Sequence, residues 1–315
     1  MKTSDWLQLA GLSIVFGATF LFFALALESI TPLTIVLIRV GLAAAVFWVL
    51  ALVLRVPLPR GRRVWGAFLV MGLCNNAIPF SLIAWEQTQI ESGLASIINA
   101  TASCFTVVLA HFLTRDERLS TAKVLGVLLG FFGVYVLLRP ELDGGITMRG
   151  WGQVAGLGAA FFLALAGIFG KRFKELSPIA ISAGMLTSST ILILPLALLV
   201  ERPWTLAPTA VSLGAMVGVA LLSTVVAYLL YFRILASAGA TNLLLVTLLV
   251  PVSAHILGAA FLAEPLFATS AVGMAFIVCG LAITDGRIAA RLRGARGGEP
   301  DTSIERAKEM DHEEP

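Results

Sequence analysis

Ten apolar stretches, most of them about 18–25 residues long, leave this chain little choice of solvent or of secondary structure. They lie near 6–26, 33–54, 64–85, 92–113, 121–138, 150–169, 178–200, 210–232, 241–263 and 267–284. Each is long enough to cross the hydrocarbon core of a bilayer as a helix. Lipid offers no water to backbone N–H and C=O groups, so each segment must pair its own, and a helix does so. Only 13% of the 315 residues are charged, against about 25% in soluble domains. The sequence therefore reads as an all-α integral membrane protein with ten transmembrane helices. The first apolar run exceeds the roughly 7–15 residues of a signal-peptide core. A retained first helix is expected, although Ala24-Leu25-Ala26 resembles a cleavage site.

Charge fixes the expected orientation. The connectors are short, so neighbouring helices should be antiparallel and alternate connectors should share a side. One side collects Lys2, Arg55, Arg60, Arg62, Arg63, Arg115, Arg118, Lys123, Lys171, Arg172, Lys174, Arg233 and six basic residues beyond 285. The other holds Arg139, Arg149 and Arg202, and Arg39 lies inside the second span. Cytoplasmic loops carry the excess of Lys and Arg. Both termini are accordingly expected in the cytoplasm, with the chain multi-pass in the cell inner membrane. The end of the chain, 286–315, is basic, then acidic, and rich in small polar residues. It reads as a disordered cytoplasmic tail, with contact to anionic lipid as the alternative.

The two halves resemble each other. Trp6-x-Gln8-x-Ala10-Gly11-Leu12 recurs as Trp151-x-Gln153-x-Ala155-Gly156-Leu157. Glu28 and Pro32 have counterparts in Glu175 and Pro178, and Glu117, Gly126 and Gly133 match Glu264, Gly273 and Gly280 at identical spacing. Several matches in order make a repeat signal. Five spans per half is an odd number, so the second copy must sit upside down. The expected units are 1–140 and 141–285, two inverted five-helix repeats around a central cavity. Secondary transporters often follow this plan, with the site near the midplane where the repeats meet.

These residues resemble the drug/metabolite transporter superfamily, specifically its EamA-type ten-helix members. The likeness rests on Pro32 to Arg39 in span two, on Glu117-x8-Gly126-x6-Gly133 and Glu264-x8-Gly273-x6-Gly280, and on Pro251 thirteen residues before Glu264. In the first half Cys104 stands where the second has Pro251. Overall similarity is greatest to YddG-type exporters of aromatic and other amino acids. The resemblance implies a basket of spans one to four and six to nine around a central cavity, with five and ten packed outside. It also implies export from the cytoplasm without ATP.

The polar residues inside the spans supply the candidate site. Arg39 lies about six residues into span two, roughly 9 Å along the helix. It can anchor a substrate carboxylate, serve a structural or gating role, or snorkel to the interface. Span three offers Asn75, Asn76 and Glu86, span four Ser92, Ser96, Asn99 and Ser103 on one stripe, span eight Thr224, Tyr228 and Tyr231, and span nine Thr247 and His255. Of these, Asn75, Asn76, Asn99, Ser103, Tyr228, Tyr231 and His255, with Trp85 and Arg39, are the expected substrate-binding residues. A polar stripe can equally glue helices together. Pro79, Pro195 and Pro251 each remove a helical hydrogen bond and are candidate hinges or static kinks. Gly126, Gly130, Gly133, Gly152, Gly156, Gly273 and Gly280 are expected at close helix contacts.

Acidic residues fall in loops, at span ends and in the tail. A buried carboxylate is the usual proton relay of a coupled transporter. The expectation is a path without buried acids and without carboxylate-based proton coupling, His255 being the alternative titrating group. Cys74, Cys104 and Cys279 sit inside apolar spans, without disulfide or metal spacing. No cofactor, metal or nucleic acid is expected, and a monomer is. Neither catalytic motif nor channel filter is visible. The sequence thus points to a transporter of small organic molecules, most directly hydrophobic amino acids, with another metabolite or drug as the rival cargo.

Overall fold

A computed structural model describes residues 3–113, 120–143, 147–243, 245–265 and 267–284. All regular structure among them is helical. The helices are α1 (Thr3–Leu27), α2 (Pro32–Val53), α3 (Arg62–Gly72), α4 (Ile78–Glu86), α5 (Ser92–Ala100), α6 (Ala102–Leu113), α7 (Thr121–Asp143), α8 (Met148–Gly170), α9 (Pro178–Leu196), α10 (Ala210–Val217), α11 (Ala227–Leu243), α12 (Leu245–Leu262) and α13 (Ala268–Thr284). Eight continuous stretches are long and apolar enough to cross a membrane, and two shorter apolar helices, Leu249–Leu262 and Ala268–Ile283, complete ten. Glu117 and the tail 286–315 lie outside the described residues.

Local sequence explains most helix starts. Pro32 and Pro178 occupy the first helical position, where a missing N–H costs nothing. Thr147, Ser177 and Thr209 cap the following helices by accepting from Gly150, Ala180 and Ser212 N–H groups. One boundary departs from the sequence reading. The eighth span was expected to end at 232, yet α11 stays helical to Leu243. Arg233 marks the end of the apolar segment and not of the helix. The small residues Ala236, Ala238 and Ala240 favour continued helix.

Three spans contain wide π turns that no periodicity argument anticipated: Leu73–Ala77 in span three, Ala197–Glu201 in span seven and Gly218–Val226 in span eight. Such turns are often found at functional sites. Pro79 follows the first of them at the start of α4, and Pro195 precedes the second. In each case a ring that cannot donate to the helical ladder accompanies the widened turn. The π turns of spans three and eight begin 145 residues apart, the same offset as Trp6 and Trp151.

The main helix contacts cross between the halves. They pair α1 with α12, α2 with α9, and α4 with α8, while α7 and α13 make their principal contact with each other. In that last pair the backbones nearly touch. A Cβ on Gly133 would stand 2.7 Å from the Gly273 carbonyl oxygen, and one on Gly280 would stand 2.7 Å from the Gly130 nitrogen. Lipid tails give helices little hydrophobic reason to associate, so dispersion at close range must hold this pair.

Candidate functional site

Arg39 sits where α2 meets the π turn of span eight. It is 3% exposed, so it does not snorkel. Its Nε donates to the Thr224 hydroxyl at 3.0 Å. The guanidinium lies 3.7 Å from the centre of the Phe80 ring and 5.4 Å from that of Phe23. Stacking and burial hold the fork in place, but Nη1 has no hydrogen-bond partner. The π turns shape this arrangement. Asn75 and Asn76 lie within that of span three, and Thr224 within that of span eight. Asn75 Nδ2 donates to Tyr228 Oη at 3.3 Å, and Asn76 Nδ2 donates to Ser189 Oγ at 3.0 Å. Phe47 packs 6.2 Å from the Tyr228 ring. Arg39, Asn75, Asn76 and Tyr228 thus share one polar junction among α2, α9 and the two π turns, with aromatic walls.

Of the remaining expected residues, Tyr231 flanks the junction, one turn along α11 from Tyr228 and near enough to act on it electrostatically, and the others lie apart. His255 packs on α5 instead, where a Cβ on Gly93 would stand 2.8 Å from its Nδ1. It borders a small cleft shared with Glu91, Glu264 and Ser270. Tyr231 is exposed at 37%, with Phe232 as its ring neighbour. Trp85 and Ser103 are half-buried, and the Asn99 Oδ1 is buried without a partner. Two serines of the span-four stripe bond away from the junction. Ser92 Oγ donates to Glu264 at 2.9 Å, and Ser96 Oγ donates to the Gly93 carbonyl at 2.6 Å. A single site holding all nine residues is therefore corrected to one junction around Arg39 and a separate cleft at His255. Helical spacing put these residues on inward faces but could not fix their depth or their neighbours.

Two carboxylates cap helices of the opposite half. Glu201 accepts from the backbone N–H groups of Leu33 and Thr34 at the start of α2. Glu264 accepts from those of Ser92 and Gly93 at the start of α5. Negative charge at a helix N-terminus is favourable. Arg149 grips Glu91 with both Nη atoms, at 3.0 and 2.6 Å. Burial alone would raise the Glu91 carboxyl, but the Arg149 hydrogen bonds and charge outweigh it and leave the group below its ordinary value.

A profile of the EamA-like transporter family matches residues 6–139 and again 150–284. The chain belongs to this family. Among similar proteins, the uncharacterised transporter YoaV of Bacillus subtilis is 22% identical, over 87% of this chain and 94% of its own length. A probable amino-acid metabolite efflux pump of Escherichia coli K12 is 28% identical, over 86% of this chain and 91% of its own. A solved crystal structure, 19% identical, covers 90% of this chain and 98% of its own with a TM-score of 0.65, and so shares the fold.

This EamA-like protein is a multi-pass membrane transporter. One expectation about its interior fails. Glu86 is entirely buried, and neither carboxylate oxygen has a partner. The sequence puts it on the polar stripe of span three but at the end of the span, away from its centre. What buries it is α8, which presents Gly152 and Gly156 to the last turn of α4. A Cβ on Gly156 would overlap the Glu86 carboxylate. Pairing Gly152-x3-Gly156 with the acid ending span three was the one signal that might have exposed this. Ser189 and Phe80 were also missed, since neither residue type stands out in an apolar span.

Proposed function

We propose that this EamA-like transporter exports small organic metabolites, hydrophobic or aromatic amino acids first, and that Arg39 holds the substrate carboxylate. One observation carries the reading: a buried guanidinium whose Nη1 has no hydrogen-bond partner and which pairs with no carboxylate among the described residues. A buried charge is tolerated when something pairs with it. A guanidinium fork fits a carboxylate by two parallel hydrogen bonds. Phe80, Phe23, Phe47 and Tyr228 supply the apolar surround that a hydrophobic side chain needs. The E. coli relative's name and the likeness to YddG-type exporters favour the same cargo class. Among the described residues Arg39 is the one fully buried base. A nucleotide sugar, with two phosphates, would call for more.

Alternating access then follows from the two halves acting as inverted copies, 1–140 and 141–285, with both termini cytoplasmic in the inner membrane. The π turns of spans three and eight, with Pro79 in span three, Pro195 in span seven and Pro251 in span nine, are the places where the helices would flex around the Arg39 junction. Proteoliposomes loaded with labelled phenylalanine, tryptophan, methionine or threonine test the proposal. Wild type should carry at least one of them, Arg39→Gln none, and Arg39→Lys much less, since Lys keeps the charge and loses the fork. Unchanged transport by Arg39→Lys would exclude the bidentate anchor. No amino acid carried by wild type would move the cargo to another metabolite class.

A further inference from the structure

We propose that Glu86 is a proton-binding site, and that binding and release of this proton drive solute movement. The proposal rests on the transport reading above and adds to it the coupling ion and its residue.

The geometry is specific. Glu86 closes α4 and is 0% exposed. Its two oxygens touch no donor, and its carboxylate rests on Gly156 of α8. The charged and titratable groups on the elements packed around it are few. On α8 the sole such group is Arg149, which is bound to Glu91. On α2 it is Arg39, stacked on Phe80. The π turn before α4 offers Cys74, and α4 itself has no other. None of them is a partner for Glu86. A lone ionised carboxylate in such surroundings costs many kcal/mol, and real proteins escape by neutralising the group. In this packing the carboxyl therefore carries a proton.

The seam between α4 and α8 joins the two halves. Gly152 and Gly156 make it smooth, and Gln153 beside them leaves its own Oε1 buried and unpaired. Gln153 also lines a cavity of about 210 Å³ with Arg149, Leu94 and Ser270. When the seam opens, water reaches Glu86, the O–H bond breaks, and the proton leaves as hydronium while the carboxylate is hydrated. A loaded passage closes over an ionised Glu86, its charge met by the ammonium group of the solute, and carries solute but no proton. The empty passage closes only after the carboxylate has taken a proton back, and it carries that proton the other way, so one proton is exchanged for one solute. By sequence position every acid lies at a span end, in a loop or in the tail, which suggests an uncoupled path. Burial of Glu86 by Gly156 of the other half leaves no mark in that pattern.

Two measurements on purified full-length protein decide the matter. Difference infrared spectroscopy across a pH titration, without solute, should show the carbonyl band of a protonated carboxyl that Glu86→Gln removes. Glu86→Gln keeps the shape and fills the same space, so it should fold. In proteoliposomes a one-unit pH gradient should sustain about a tenfold phenylalanine gradient at one-for-one exchange, and Glu86→Gln should reduce this to no gradient while still equilibrating the label. Identical infrared titrations for both proteins would overturn the proton site. A band present, with phenylalanine accumulation unaffected by the gradient or by the substitution, would overturn the coupling. Should wild type carry no amino acid, the cargo reading fails and the infrared titration still decides the proton site.

Discussion

Replacing Glu201 should loosen α2, the helix that carries Arg39, from the second half of the protein. Four donors converge on the Glu201 carboxylate. They are the Leu33 and Thr34 N–H groups at 2.9 and 2.8 Å, the Thr34 hydroxyl at 2.9 Å, and the Thr31 hydroxyl. Glu201→Ala strands the two N–H groups, since no residue within α2 can accept from its first turn. Each buried donor left without a partner costs about 1–3 kcal/mol. Glu201 is half-buried, so water can reach the gap and the low end applies. Loss of negative charge at the helix N-terminus adds about 0.5–1 kcal/mol. The total is about 3 kcal/mol for Glu201→Ala. Glu201→Gln keeps one acceptor oxygen and should cost about 1–2 kcal/mol. The assay is reversible unfolding in mixed micelles, titrated with sodium dodecyl sulfate and followed by tryptophan fluorescence. An alanine variant within about 0.5 kcal/mol of wild type, the usual range of a bland surface change, would refute the reasoning. It would mean that the carboxylate is not what holds α2.

Three further outcomes follow from the same geometry. Gly133→Leu puts a side chain where a Cβ alone comes within 2.7 Å of the Gly273 carbonyl oxygen. Membrane yield should fall severely, and any surviving protein should keep its substrate profile; full yield with altered selectivity would contradict the packing role. Ala263 holds φ at 52°, which costs a non-glycine residue about 1–2 kcal/mol. Ala263→Gly should therefore raise the unfolding midpoint in detergent, and a lowered midpoint would refute this. Because the Glu91 carboxyl is held below its ordinary value, its pairing with Arg149 contributes fully above the ordinary carboxylate range of about pH 4–4.5. That contribution is lost as pH falls through the depressed folded value. Arg149 is 35% exposed, so the effect should not exceed about 1 kcal/mol. Stability curves of wild type and Arg149→Met should converge in acid, and parallel curves would contradict the pairing.

Much of this protein was written in its chain. Apolar length decided that it spans a membrane as ten helices, because lipid forces every segment to satisfy its own backbone. Pro32 and Pro178 marked helix starts, and the polar residues of the spans marked a short set from which Arg39, Asn75, Asn76 and Tyr228 do come together. Tertiary structure alone decided the rest. Which inward residues meet depends on the rotation and depth of each helix, and the π turns at Leu73–Ala77 and Gly218–Val226 change both without leaving a periodic trace. Hence His255 parted from the junction it was expected to join. The same holds for charge. Glu86 is an ordinary span-end acid by position, and it became a buried, unpartnered carboxyl only because Gly156, seventy residues further on, let α8 lie against it. Burial is a property of two surfaces, and a sequence read one segment at a time supplies just one of them.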